Sequence, residues 1–202
     1  MWETTLRNII YNIWPMILIV TVILVSARIV YFVKNKQKIV LYEELLKYSF
    51  IIYVLSLFYV VTFQDVSWST SNFIPFKEMF RYPIFSRLFF KNVVGNMIMF
   101  LPYGFFISYF LKLDKVKTIA ILSIIVSLSI EITQLLIGRV FDVDDIMLNI
   151  IGGVSGYIIY RIFHNIKDKL PPLLKNTHFY NIMVMLFISG ILIYLSKIMG
   201  VY

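Results

Sequence analysis

The sequence predicts an all-α fold, a polytopic membrane bundle of about six transmembrane helices. The first observation is composition: 60% of the 202 residues are hydrophobic and only 15% are charged, with a mean hydropathy of +0.83. A water-soluble domain of this size cannot bury so much apolar surface, whereas the core of a bilayer accepts it. The second observation is that the apolar residues gather into long runs separated by short polar connections.

Six apolar runs have the length of a transmembrane helix, because roughly 17–25 residues cross about 30 Å of hydrocarbon at 1.5 Å per residue. They occupy residues 9–33, 45–63, 93–111, 116–137, 146–163 and 180–199. The first run is longer than the apolar part of a signal peptide and no cleavage pattern follows it, so we interpret it as a retained helix. Pro102 lies in the third run, where its missing backbone donor predicts a kink. Residues 1–202 are treated as a single membrane domain.

The distribution of Lys and Arg predicts the orientation. If the first, third and fifth connections lie inside the cell, twelve of the 19 Lys and Arg residues lie there. Cytoplasmic connections carry the excess of positive charge, so both termini and the turn at residues 138–145 are predicted outside the cell membrane. The net charge of +8 suits contact with anionic lipid headgroups, and nucleic acid is not an expected partner. The absence of Cys excludes disulfides and thiolate metal sites.

Polar residues interrupt the fourth and fifth runs in a pattern that helical spacing explains. Glu131 and Gln134 are three residues apart and share one helix face. In and before the fifth run, spacings of three, four, three and four form a second stripe: Asp142, Asp145, Asn149, Gly152 and Gly156. An ionisable group in hydrocarbon costs several kcal/mol unless it is paired or hydrated, so this stretch is the candidate functional site.

The lower part of the second stripe predicts close helix packing. Gly152, Gly153 and Gly156 form a pattern of small residues that lets another helix approach its backbone. The simplest arrangement places this stripe against the Glu131 and Gln134 face. In that arrangement Arg139, in the turn, is available to pair with a carboxylate.

Four functions remain open for these residues. The polar groups can simply fix the helical hairpin. They can form an outward-facing pocket in which Arg139 binds a phosphate while carboxylates and amides bind sugar or peptide. They can form a catalytic site in which Glu131, Asp142, Asp144 and Asp145 act as cation ligands or general bases, although Asp-x-Asp-Asp alone is a weak signal. Finally, Glu131 can couple transport to protons.

The connection between the second and third runs is rich in aromatic and basic residues. Examples are Trp68, Phe76, Lys77 and Arg81. This composition is typical of a segment at the lipid–water interface. The connection is therefore predicted to be an interfacial anchor, or a lid that adds phosphate-binding cations to the polar pocket.

Three motifs resemble the VanZ-like family, membrane proteins associated with teicoplanin resistance. The first is Asn72-Phe-Ile-Pro75-Phe76, and the second runs from Asn96 through Phe100 and Pro102 to Gly104. The third joins the polar residues already described, so that the resembling core spans residues 72–156. The resemblance implies a multi-pass protein that lowers susceptibility to glycopeptide antibiotics. It also adds Asn96 to the candidate site, and Asn72 and Pro75 to the loop.

Together, the residues and the resemblance lead to one expectation and one alternative. We expect an outward-facing polar pocket that binds a cell-envelope amphiphile, such as a membrane lipid, a lipid-linked wall precursor or the antibiotic itself. No cofactor or metal is expected, and binding is favoured over catalysis. The alternative is a membrane-embedded enzyme that acts on a lipid-linked envelope substrate with a divalent cation, with Glu131, Asp142 and Asp145 as catalytic candidates. The predicted ligand-binding residues are Asn96, Glu131, Gln134, Arg139, Asp142, Asp145 and Asn149.

Overall fold

The computed structural model describes residues 2–63 and 70–198, so Trp68 lies outside the described residues. All of its regular elements are helices, which confirms the all-α prediction. The α-helices are α1 (Trp2–Asn35), α2 (Leu41–Phe63), α3 (Arg87–Phe89), α4 (Gly95–Leu111), α5 (Val116–Leu136), α6 (Val143–Lys169) and α7 (Thr177–Ile198). A π-helical stretch, Phe90–Val94, joins α3 to α4, and a 3-10 turn, Pro172–Lys175, precedes α7.

Five segments among the described residues are long and apolar enough to cross a membrane. They are Tyr11–Asn35, Leu41–Phe63, Arg87–Leu111, Val116–Leu136 and Val143–Lys167. Each overlaps one of the first five predicted runs. The sixth run forms α7 but is not among these five segments. Helix α4 continues through Pro102, and the departure from α-helical bonding lies before it, in Phe90–Val94.

Two helix boundaries have a clear local cause. Helix α6 begins at Val143, three residues before the apolar run that predicted it, because Asp142 acts as its N-terminal cap. The Asp142 side chain accepts the backbone N–H of Asp144 at 2.9 Å, which satisfies a donor that has no partner within the helix. The second boundary is the end of α5 at Leu136. In the turn that follows, Gly138 has a φ of +83°, a backbone conformation that glycine adopts without strain.

The chain divides into two compact units. The terminal unit comprises residues Met1–Tyr59 and Lys167–Tyr202, and the core unit comprises Val60–Ile166. In the terminal unit the guanidinium of Arg28 donates two hydrogen bonds to Glu44, at 2.6 and 2.7 Å. Also in this unit, the backbone N–H of Tyr42 donates to the side chain of Asn181 at 3.0 Å.

Helices α4 and α6 of the core unit are in backbone contact. A Cβ atom on Gly104 would overlap the backbone of Gly153. A Cβ on Gly152 would meet the carbonyl of Met97, and one on Gly156 would meet that of Leu101. The glycine stripe therefore packs mainly on α4. A Cβ on Gly153 would overlap the side chain of Ser123 on α5.

Candidate functional site

Glu131 links the end of α5 to the start of α6. Its carboxylate is fully buried, and Oε2 accepts the backbone N–H of Asp142 at 2.8 Å. Arg139, in the intervening turn, donates from Nη1 to the carbonyl of Val61 at 2.6 Å rather than to a carboxylate. Val61 lies in the last turn of α2, where backbone carbonyls have no partner within the helix. Arg139 therefore bonds to the backbone carbonyl of Val61 and not to the carboxylate that the sequence suggested as its partner.

Asn72 fixes the connection after α2 to the start of α6. Its backbone N–H donates to Phe141 at 2.8 Å, and its carbonyl accepts from Val143 at 3.0 Å, which makes a short parallel bridge beside Asp142. Its side-chain amide donates to Asp142 Oδ1 at 2.9 Å. The first residue of the first motif therefore bonds directly to a residue of the third, across 70 positions of sequence.

Asp144 anchors the next part of the same connection. This carboxylate is fully buried and accepts three backbone N–H groups, from Phe76 at 2.5 Å, Glu78 at 2.7 Å and Met79 at 2.9 Å. Phe76 has a φ of +68°, which is unusual for a residue with a side chain. Three donors on one carboxylate indicate a structural anchor for the loop rather than a catalytic base or cation ligand. No sequence pattern indicated this role, because the donors are backbone groups more than 60 residues away.

A cavity of about 470 Å³, here called the outer cavity, lies between the loop, the start of α4 and the α5–α6 turn. It brings together five of the seven predicted ligand-binding residues: Asn96, Gln134, Arg139, Asp142 and Asp145. From the predicted loop residues it includes Asn72 and Arg81, whereas Pro75, Phe76 and Lys77 do not line it. Lys91 and Asn92 also line it. Lys91 belongs to the aromatic and basic connection between the second and third runs, whereas no sequence pattern indicated Asn92.

A smaller cavity of about 60 Å³, here called the inner cavity, contains the other two predicted residues, Glu131 and Asn149. Four residues line both cavities: Asn96, Gln134, Arg139 and Asp145. The Asn96 amide donates to the Asp145 carboxylate. The fully buried Asn149 donates from Nδ2 to Ser127 Oγ at 2.9 Å. The seven predicted residues thus line two cavities that share a wall.

The comparison with protein families agrees with the motifs. The VanZ/LLP1 family model matches residues 50–164, more than half of the chain. The chain belongs to the VanZ/LLP1 family. The match covers most of the core unit and contains all three motifs, so the VanZ-like prediction is confirmed. No curated protein and no solved structure matches the chain.

The charges around the outer cavity of this VanZ/LLP1 protein are mixed. Its cations are Arg81, Lys91 and Arg139, and its acids are Glu78, Asp142, Asp144 and Asp145. Arg81 pairs with Glu78 at 2.9 Å. Burial raises the pKa of the Asp142 carboxyl, and the hydrogen bond from Asn72 partly opposes this rise. Among the described residues, no three His, Cys, Asp or Glu side chains gather as a metal site would require.

Proposed function

We propose that this VanZ/LLP1 protein lowers susceptibility to teicoplanin-like glycopeptide antibiotics by binding a cell-envelope amphiphile in the outer cavity. The observation that carries the proposal is the cavity itself, whose volume of about 470 Å³ is within the usual range for small-molecule sites. Its cations suit a phosphate or carboxylate, and its amides suit the hydroxyls of a sugar or the backbone of a peptide. The bound amphiphile is a membrane lipid, a lipid-linked wall precursor or the antibiotic itself.

The loop beside the cavity supports an amphiphile in particular. Phe73, Phe80 and Phe85 are largely exposed, and Lys77 and Arg87 of the same segment are exposed as well. Exposed aromatic and basic side chains in one segment favour the boundary between lipid headgroups and water. A ligand with a polar head can occupy the outer cavity from that boundary while its apolar part stays in the bilayer.

Antibiotic susceptibility of a heterologous host tests the proposal. Arg81→Ala and Lys91→Ala remove cations that line the outer cavity, whereas Lys77→Ala and Arg87→Ala remove exposed cations of the same segment that do not line it. At matched membrane levels, the two cavity variants should lose protection against teicoplanin and the two control variants should keep it. Protection that survives in all four variants, or is lost equally in all four, contradicts a ligand site in the outer cavity.

The proposal also requires the cavity to face the cell exterior, as the charge distribution favours. The chain has no Cys, so a single introduced Cys reports its own side of the membrane. Lys77→Cys should react with a membrane-impermeant thiol reagent in intact cells. Lys115→Cys, at the opposite end of α5, should react only after the membrane is permeabilised. The reverse result would place the outer cavity inside the cell and remove its access to wall precursors.

A further inference from the structure

A column of buried polar side chains lies beneath the outer cavity, and the proposed ligand site leaves it unexplained. On α5, Ser123, Ser127 and Glu131 follow at intervals of four residues, so they share one face of the helix. All three are fully buried. On α6, the fully buried Asn149 bonds to Ser127. The column ends at Ile119, four residues further along the same face, which is apolar and fully buried.

Two atoms of this column have no hydrogen-bond partner among the described residues. They are Asn149 Oδ1 and Ser123 Oγ. Ser127 accepts a hydrogen bond from the Nδ2 end of the Asn149 amide, so the Oδ1 end, which is an acceptor, stays without a partner among the described residues. An unpaired polar atom in a protein interior costs free energy, and native structures usually satisfy such atoms with ordered water.

The inner cavity has the size and the chemistry that water requires. Its volume of about 60 Å³ is roughly twice the ~30 Å³ that a water molecule occupies in the liquid. Asn149 lines it, together with the carboxylates of Glu131 and Asp145 and the amide of Gln134. Buried water typically makes about three hydrogen bonds, and these groups supply enough partners for two molecules.

We propose that the inner cavity is a water-binding site that continues the outer cavity into the membrane interior as far as Asn149 and its hydrogen-bond partner Ser127. The four residues common to both cavities make them neighbours with one shared wall. Ser127 lies nine residues from the end of α5 at Leu136, which is about 14 Å along the helix axis. That depth is about half of the ~30 Å hydrocarbon thickness. Water at this depth gives small aqueous ions access to the middle of the bilayer, with Ile119 as the dry end of the column.

Silver ion accessibility tests the proposal, because Ag⁺ is small and reacts with thiols where water can carry it. The absence of native Cys makes three single-Cys proteins informative: Ser127→Cys in the column, Ile119→Cys at the dry end and Gln134→Cys on the shared wall. Membrane vesicles are treated with Ag⁺ and then dissolved in detergent. The thiols that remain free are then labelled with a maleimide-linked polyethylene glycol. The labelled protein is counted by its shift on a gel.

We expect Ser127→Cys and Gln134→Cys to be blocked and Ile119→Cys to resist. Bringing an ion into a dry site costs several kcal/mol, and each 1.4 kcal/mol is a factor of ten, so the rates should differ by more than about tenfold. Adding Asn149→Leu replaces the amide with an apolar side chain of similar shape, so that the inner cavity loses a polar partner for water. This change should slow blocking of Ser127→Cys towards the Ile119→Cys rate and leave Gln134→Cys unchanged.

Two results would overturn the inference. One is a Ser127→Cys thiol that reacts no faster than the Ile119→Cys thiol while Gln134→Cys reacts readily. The other is equal reaction at all three positions, which would mean that the column is open along its length. Size-exclusion chromatography checks that each variant is folded, and Asn149→Cys replaces Ser127→Cys if the latter is not. The test uses neither antibiotic nor lipid ligand, so its result is independent of the proposed function.

Discussion

The core unit and the terminal unit differ in how much of their apolar surface is buried by protein. The most hydrophobic stretch of Tyr11–Asn35 has a mean hydropathy of 2.5 and no buried residues, whereas that of Val143–Lys167 has a mean hydropathy of 1.5 and is 44% buried. Of these two segments, the less hydrophobic one is therefore the more buried inside the protein. The bilayer explains the inversion, because lipid solvates apolar side chains as well as another helix does.

The contacts that hold the core unit together accordingly involve glycines and polar side chains. Glycines bring α4 and α6 into backbone contact, and Glu131, Asp142 and Asp144 bond to backbone N–H groups around the α5–α6 turn. Such bonds are valuable where water is scarce, because an unpaired polar group is costly there. The family match covers the polar core unit almost completely, while most of the more apolar terminal unit lies outside it.

The largest effect should come from removing the Asp144 carboxylate. Asp144→Ala leaves three backbone N–H groups of the loop without their acceptor. Hydrogen bonds to a charged group contribute roughly 1.5–3 kcal/mol each, so the free energy of unfolding of the loop region should fall by more than about 4 kcal/mol. Thermal unfolding and limited proteolysis in detergent measure this loss.

Asp114→Ala is the control for Asp144→Ala, since the Asp114 side chain is 85% exposed and lies in the same unit. It should change the unfolding temperature little. Equal unfolding temperatures for the two variants would mean that the Asp144 contacts do not stabilise the loop, and that polar bonds are not what distinguishes the core unit.

A matched pair of glycines compares the two units directly. A Cβ atom at Gly104 of the core unit would overlap the backbone of Gly153, whereas one at Gly190 of the terminal unit would meet nothing within 4 Å. Overpacking typically costs about 1–3 kcal/mol, so Gly104→Ala should lower the unfolding temperature. Gly190→Ala should raise it slightly, because Ala is favoured over Gly in a helix by roughly 0.5–1 kcal/mol. Thermal unfolding in one detergent that shows the same sign of change for both variants would contradict the difference in packing.

The sequence alone was sufficient for the helices, and all seven predicted ligand-binding residues line one of the two cavities. Apolar runs predict helices because the bilayer imposes the length of a helix that crosses it. Helical spacing singled out Glu131, Asp145 and Asn149, and all three line the inner cavity. The bonding partners were not predictable in the same way. Arg139 bonds to a carbonyl 78 positions away, and Asp144 bonds to backbone groups of a loop. Backbone donors and acceptors are present at almost every residue, so no side-chain pattern identifies which of them a distant polar group will contact.

The smallest effect should be a pH dependence located at Asp142. Burial raises the pKa of this carboxyl, so the folded protein binds its proton more tightly than the unfolded chain does. The stability that the protonated Asp142 carboxyl contributes is therefore present at low pH. It is lost as the pH rises above about 4, the ordinary pKa of Asp, and through the higher pKa that Asp142 has in the folded protein. Asp142→Asn keeps an oxygen that can accept from Asn72 and from the Asp144 N–H, but it cannot ionise.

The unfolding temperature of Asp142→Asn relative to wild type should accordingly increase as the pH rises above about 4. A pH series of thermal unfolding in detergent measures this difference, and the surface variant Asp114→Asn corrects for general effects of removing a charge. A difference that decreases with pH would mean that the hydrogen bonds from Asn72 and Asp144 outweigh burial. Asp142 would then be stabilised as an anion, and the start of α6 would present a negative charge to a ligand in the outer cavity.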